Sequence, residues 1–262
     1  YMMAKDLQAS KCKLGKYVKK ELMEPVEVLV LDKNPNFIIP KYRAPDANTK
    51  TNWPTKAPWL GTVFGDCGDA LVVKPETGAY AIDDSTGVVK MRSGIKDGKS
   101  CGKIASKSDG IAFYFQMLPA DKDFVFSAKA KVQFITKNNQ VSFGLMARDD
   151  VYIDKYDNSI CSNYVAAGPL KITGEPITSS WQRKDGLLEE NKATVSACPQ
   201  AGEEVKLSIT KVGDSYTLVY GNEPPVTIEA NLKEVDKNNI FVGLYTVRNV
   251  EVEFSDVVLV TK

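Results

Sequence analysis

From about residue 59 onward, apolar residues recur in short runs separated by Gly, Asn, Asp and Pro. The runs include "LGTVFGD", "ALVVK", "GVVKMRS", "IAFYFQML", "FVFSAKAKVQFI", "QVSFGLMAR", "NYVAAGPL", "EVKLSITKV", "YTLVYG", "PVTIEANL", "IFVGLYTV" and "VEVEFSDVVLV". Turn-forming clusters lie between them: "DDSTG", "PADKD", "TKNNQ", "VGDS" and "GNEPP". Several runs alternate with period two. In "FVFSAKAKVQF", Phe124, Phe126, Ala128, Ala130, Val132 and Phe134 share one face. Val125, Ser127, Lys129, Lys131 and Gln133 share the other. That alternation suits a sheet with one face in a core and one in water. Many short strands with scarcely any helical periodicity predict an all-β fold, a two-sheet antiparallel jelly-roll β-sandwich over residues 59–262.

The first 58 residues have a different texture. Residues 1–22 are Lys-rich and weakly helix-compatible, and "EPVEVLVLD" at 24–32 has strand alternation. Residues 33–58 are rich in Pro, Asn and Thr. The segment 1–58 is therefore expected to be an irregular, partly helical N-terminal extension or linker. "YMMAKDLQAS" shows no signal-peptide pattern and reads as the start of a trimmed or partial chain.

Composition narrows the chemistry. The 262 residues are 43% hydrophobic and 26% charged, enough for a core without metal or disulfide support. A formal net charge of +1 gives no field for nucleic acid. No apolar run approaches the roughly 18 residues of a membrane-spanning helix. The chain has no histidine, so Ser-His-Asp and Cys-His catalysis, His-ligated zinc and His acid–base steps are excluded for it. Cys12, Cys67, Cys101, Cys161 and Cys198 are widely spaced, with no CxxC pair. They read as partly buried thiols with at most one disulfide.

The stretch "FGLMARDDVYIDKYD" at 143–157 carries the densest candidate chemistry. Arg148 ends an apolar strand and must reach a carboxylate or water. Asp149, Asp150, Asp154 and Asp157 lack calcium-loop spacing, and 149 and 150 point to opposite faces of a continuing strand. Two readings stay open: a solvated edge where Asp ends the strand, or a sugar-contacting or cation-tethered edge. Tyr152, Tyr156, Tyr164 and Trp181 follow in one irregular stretch with Arg183. "GLYTVR" at 243–248 echoes "GLMAR" and adds Tyr245 and Arg248. Aromatic faces suit the C–H side of sugar rings. These ten residues (Arg148, Asp149, Asp150, Tyr152, Tyr156, Tyr164, Trp181, Arg183, Tyr245 and Arg248) are the candidate ligand contacts. No spaced carboxylate pair of the glycosidase kind is present; "EVEFSD" at 251–256 reads as the solvent face of a late strand. "GKSCGKIASKSDG" at 98–110 lacks phosphate-loop spacing and reads as a loop entering a strand.

"GKIASKSDGIAFYFQMLPADKDFVFSAKAKV", "NNQVSFGLMARDDVYIDKY", "NYVAAGPL" and "IFVGLYTVRNVEVEFSDVVL" together resemble concanavalin A-like (laminin-G-like) jelly-roll modules of secreted bacterial polysaccharide-degrading proteins. Similar modules accompany pectate lyases. The resemblance spans roughly 59–262. It implies a secreted, monomeric, non-catalytic carbohydrate-binding module for pectic or other plant polysaccharide, attached to a catalytic module. It also implies a structural calcium ion, for which Asp109 and Asp256, with Asp149 and Asp150, are the candidate ligands. The alternatives are a β-sandwich polysaccharide lyase or glycoside hydrolase, and a structural or adhesive spacer.

Overall fold

The computed structural model describes residues 57–65, 80–83, 86–93, 95–96, 99–100, 102–104, 109–151, 162–174, 177–185, 187–195 and 197–262. The expectations for residues 1–56 lie outside them.

The described residues form sixteen strands and no helix. Sheet A has the order β1 (Leu60–Gly65), β6 (Gly110–Pro119), β15 (Asn239–Val247), β8 (Ser142–Arg148), β9 (Tyr164–Leu170), β10 (Ile177–Lys184) and β11 (Leu187–Val195). Sheet B has the order β14 (Val226–Glu229), β13 (Ser215–Tyr220), β12 (Glu204–Val212), β7 (Phe124–Ile135), β16 (Val250–Thr261), β3 (Val88–Ser93) and β2 (Tyr80–Asp83). A small hairpin joins β4 (Ile95–Lys96) and β5 (Lys99–Ser100). Every pairing is antiparallel, which makes the two-sheet sandwich expected from the pattern.

The main core lies between the sheets. Phe124, Phe126, Val132, Leu207, Ile209 and Phe254 of sheet B meet Phe143, Leu145, Val165, Val242 and Leu244 of sheet A. Trp59 stacks on Tyr114 with ring centroids 4.8 Å apart, closing one side of it. Burying each such side chain contributes about 1.5–3 kcal/mol.

Two departures from the pattern have local causes. Phe134 is expected on the core face of β7, yet it is 48% exposed. The register against β16 slips between Glu251↔Phe134 and Val252↔Val132, so two residues of β7 oppose one, and the bulge turns Phe134 outward. The stretch that holds Trp181 and Arg183 is expected to be irregular, but both residues lie in β10. "ITSSWQRK" shows no alternation because seven of its eight residues are buried. The two echoing segments are β8 and β15, which pair directly, with Leu145 opposite Leu244. Antiparallel pairing therefore sends Arg148 and Arg248 to opposite ends of sheet A.

A second apolar cluster sits on the outer face of sheet A. Ile111, Phe113, Phe115, Met146, Tyr164, Trp181 and Tyr245 project there, and Ile104 and Val151 pack with them. Close approach of β8 and β9 is part of this packing. A Cβ on Gly168 would stand 2.1 Å from the Phe143 carbonyl oxygen and 2.7 Å from the Tyr245 hydroxyl, so only glycine fits.

Candidate functional site

Arg148 ends β8 and Arg183 is the last residue but one of β10, on either side of Tyr164 at the start of β9. All three side chains are fully buried, as is Asp109, which immediately precedes β6. Two guanidinium groups taken out of water need matched acceptors, or their burial costs several kcal/mol each. Asp109 supplies the main one. Its Oδ2 accepts from Arg148 at 3.0 Å and its Oδ1 accepts from Arg183 at 2.7 Å. Arg148 also donates through Nε to the Asp150 carbonyl at 2.6 Å and through a terminal nitrogen to Ser162 Oγ at 2.7 Å.

Aromatic rings complete the cage. The Arg183 and Arg148 guanidinium carbons lie 4.9 and 5.4 Å from the Tyr164 ring centroid, within cation–π range. Trp181 meets Tyr164 edge-on at 5.3 Å and Tyr245 at 6.5 Å. The Tyr164 hydroxyl donates to the Ile104 carbonyl at 3.2 Å. Ile104 and Asp109 thus lay a backbone carbonyl and a carboxylate against the outer face of sheet A. Burial and the aspartate push the Tyr164 phenol up, beyond any physiological titration. Burial works against the charge of Arg183, but Asp109 and Tyr164 outweigh it and keep it protonated.

Asp149 is buried on different terms. Its Oδ1 accepts the Asn163 backbone N–H at 2.8 Å, while Oδ2 has no partner among the described residues. Desolvation, reinforced by neighbouring Asp150, raises its pKa well above the usual carboxylate range; the Asn163 hydrogen bond only partly opposes this. Asn163 in turn donates to Glu234 at 3.0 Å and accepts from the Asp185 backbone at 2.9 Å.

The structure buries Arg148, Asp149, Asp150, Tyr164, Trp181, Arg183 and Tyr245, and gathers Arg148, Tyr164, Trp181, Arg183 and Tyr245 on the outer face of sheet A. The reading of Asp149 and Asp150 as a solvated edge is not met, because both are enclosed. A side chain without exposed surface has no face free to stack on a sugar, so in the described structure the seven act as internal supports of sheet A. Tyr152 and Tyr156 lie outside the described residues. Arg248 stands apart and part-exposed, donating to the Gly102 carbonyl and to Asn138 Oδ1, each at 2.9 Å. Asp256 lies on β16 of sheet B, exposed and paired with Lys129 at 2.7 Å. Both Asp109 oxygens are held by cations, which leaves that carboxylate ill-suited to calcium. Among the described residues no group of three or more metal-ligating side chains converges. Ser162, Asn163 and Ile104 belong to the cluster but no motif marks them in the sequence, and Ile104 acts through its backbone carbonyl.

Residues 76–161 match the family described as the pectate disaccharide-lyase N-terminal domain. The chain is 36% identical over 156 residues to "Pectate lyase L" of Thermoclostridium stercorarium. That stretch is 59% of this chain and 12% of the lyase, so the chain spans about an eighth of its curated relative. Among solved structures, a functionally unknown protein from Saccharomyces cerevisiae is similar with a TM-score of 0.50 and 14% identity, covering 72% of this chain and 94% of that one. Carbohydrate-binding module CBM66 from Bacillus subtilis aligns with a TM-score of 0.42 and 12% identity, covering 69% and 89%. At such identities the structural likeness concerns the fold.

Proposed function

We propose that this chain is a non-catalytic carbohydrate-binding module that keeps a pectate-cleaving enzyme on plant cell-wall polysaccharide outside the cell. The observation that carries this reading is the 36% identity to one small stretch of a much longer pectate lyase. A module shared with a lyase over 12% of its length has the proportions of an appendage beside a catalytic region. Tethering by such a module raises the local concentration of substrate at the enzyme. The histidine-free sequence leaves this chain only carboxylate, Lys, Arg, Tyr or Cys groups for chemistry of its own. In this role the buried arginine cluster fixes the shape of sheet A, and recognition falls to surface groups.

The experiment is affinity electrophoresis of the purified chain in polygalacturonate, pectin and neutral plant glycans, with release of unsaturated sugars followed in parallel. Retardation in the acidic gels without product release is the expected result. Product release by the chain alone identifies an enzyme instead, and migration unaffected by every polysaccharide identifies a spacer.

A further inference from the structure

The end of β7 with the two residues after it, residues 172–174 with Ile177, and the segment 197–200 surround a cleft of about 380 Å³. This is at the small end of the range for small-molecule sites, room for one or two sugar rings rather than a long chain. Its floor is apolar. Ile177 belongs to the main core, and Ile135 and Ile172 pack against that core while remaining half-exposed in the cleft. Its rim is polar, with Lys137, Thr173 and Gln200 at the mouth.

The rim is ordered by its own hydrogen bonds. Gly174 N–H donates to the Lys171 carbonyl at 2.8 Å, closing a turn around Thr173, whose hydroxyl bonds Asn139. Gln200 is held from both sides: its backbone N–H donates to Glu203, and its side chain donates to the Cys198 carbonyl at 2.9 Å. Lys137 differs from them. It is exposed, and among the described residues no carboxylate lines the cleft and none pairs with it. An apolar floor, hydroxyl and amide groups above it and an ammonium at the lip, without an ion pair among the described residues, match an acidic sugar: the C–H face below, hydroxyls at the rim and a carboxylate on the cation.

We propose that this cleft is the saccharide site and that it holds a uronate unit, with Lys137 pairing the carboxylate and Ile135, Ile172 and Ile177 bearing the ring. This rests on the carbohydrate-binding reading above and assigns it a place and a sugar class. Trigalacturonate and neutral cellotriose, titrated calorimetrically into the wild-type chain, form the test. Lys137→Ala, Ala197→Trp and Lys131→Ala are compared with it. The first two change exposed residues at the mouth, and the third removes a lysine from sheet B. Wild type and Lys131→Ala are expected to bind trigalacturonate alike and more tightly than cellotriose. Lys137→Ala is expected to weaken binding about tenfold, as for loss of one charge-assisted hydrogen bond. Ala197→Trp, which fills the mouth, is expected to abolish it. All variants should melt with the wild type. Trigalacturonate binding that both mouth variants retain at full strength overturns the cleft and leaves the module reading standing. Equal affinity for the two trisaccharides overturns the uronate assignment. A wild-type chain that binds no pectic saccharide of any length brings down both readings.

Discussion

Sheets A and B each have seven strands with the same antiparallel pairing, but their outer faces follow opposite rules. On sheet B the outer face is wet. Lys129, Lys131 and Gln133 of β7 stand beside Glu251 and Glu253 of β16 and Lys90 and Arg92 of β3. Their ion pairs, such as Lys90–Glu253 at 2.9 Å, are solvated and contribute little. On sheet A the outer face around Tyr164 is dry, and the ionic group described there is a closed Arg–Asp–Arg unit walled by aromatics. Equivalent chemistry therefore has unequal weight: a charge pair on sheet B exchanges one solvated state for another, whereas the pair on sheet A stands in for all the water its members have lost.

The sharpest way to break this comparison is Asp109→Ala. It strands two buried guanidinium groups and is expected to cost about 3–5 kcal/mol, measured as a fall in the urea midpoint. A loss no larger than that of a surface substitution would show that sheet A's outer face is wetter than described. Next comes Gly168→Ala. The added methyl has no room between the Phe143 carbonyl and the Tyr245 hydroxyl, so β8 and β9 must part. The expected loss is about 1–3 kcal/mol, with loosened amide exchange in β8 and β9.

Asp149→Asn sharpens the comparison through pH. Burial raises the folded-state pKa above the unfolded value, so the native state binds the extra proton. The associated stability is present below the ordinary Asp range, about 3.9, and is lost as pH rises through the raised value. Urea midpoints across that window should decline less steeply for Asp149→Asn than for wild type; an unchanged slope means that Asp149 is not the group responsible. The smallest effect belongs to Lys129→Ala. It removes the Asp256 partner from exposed sheet B and should leave the midpoint where it is, in contrast to Asp109→Ala.

How much was legible in the sequence follows the same division. Strands β7, β12 and β13 alternate in sequence and alternate in burial, because one side of each meets the core and the other meets water. β8 and β9 were visible only as apolar runs, and β10 not at all, because burial on both faces erases the period of two. Arg148 could be singled out as an arginine in need of an acceptor. That acceptor, Asp109, lies 39 residues before it and 74 before Arg183, beyond the reach of any local pattern. The end cleft was illegible for the same reason: its walls come from three separated segments, and none carries a motif.

By itself, then, the sequence determined an all-β sandwich, its solvent-facing strands and a chemistry without histidine, since these depend on alternation and composition. Only the tertiary structure decided that Arg148, Asp149, Trp181 and Arg183 lie inside rather than at a binding edge, and that a cleft opens beyond β7. Burial and ion pairing are set by what the rest of the chain brings alongside, and that is fixed by sheet order rather than by neighbours in sequence.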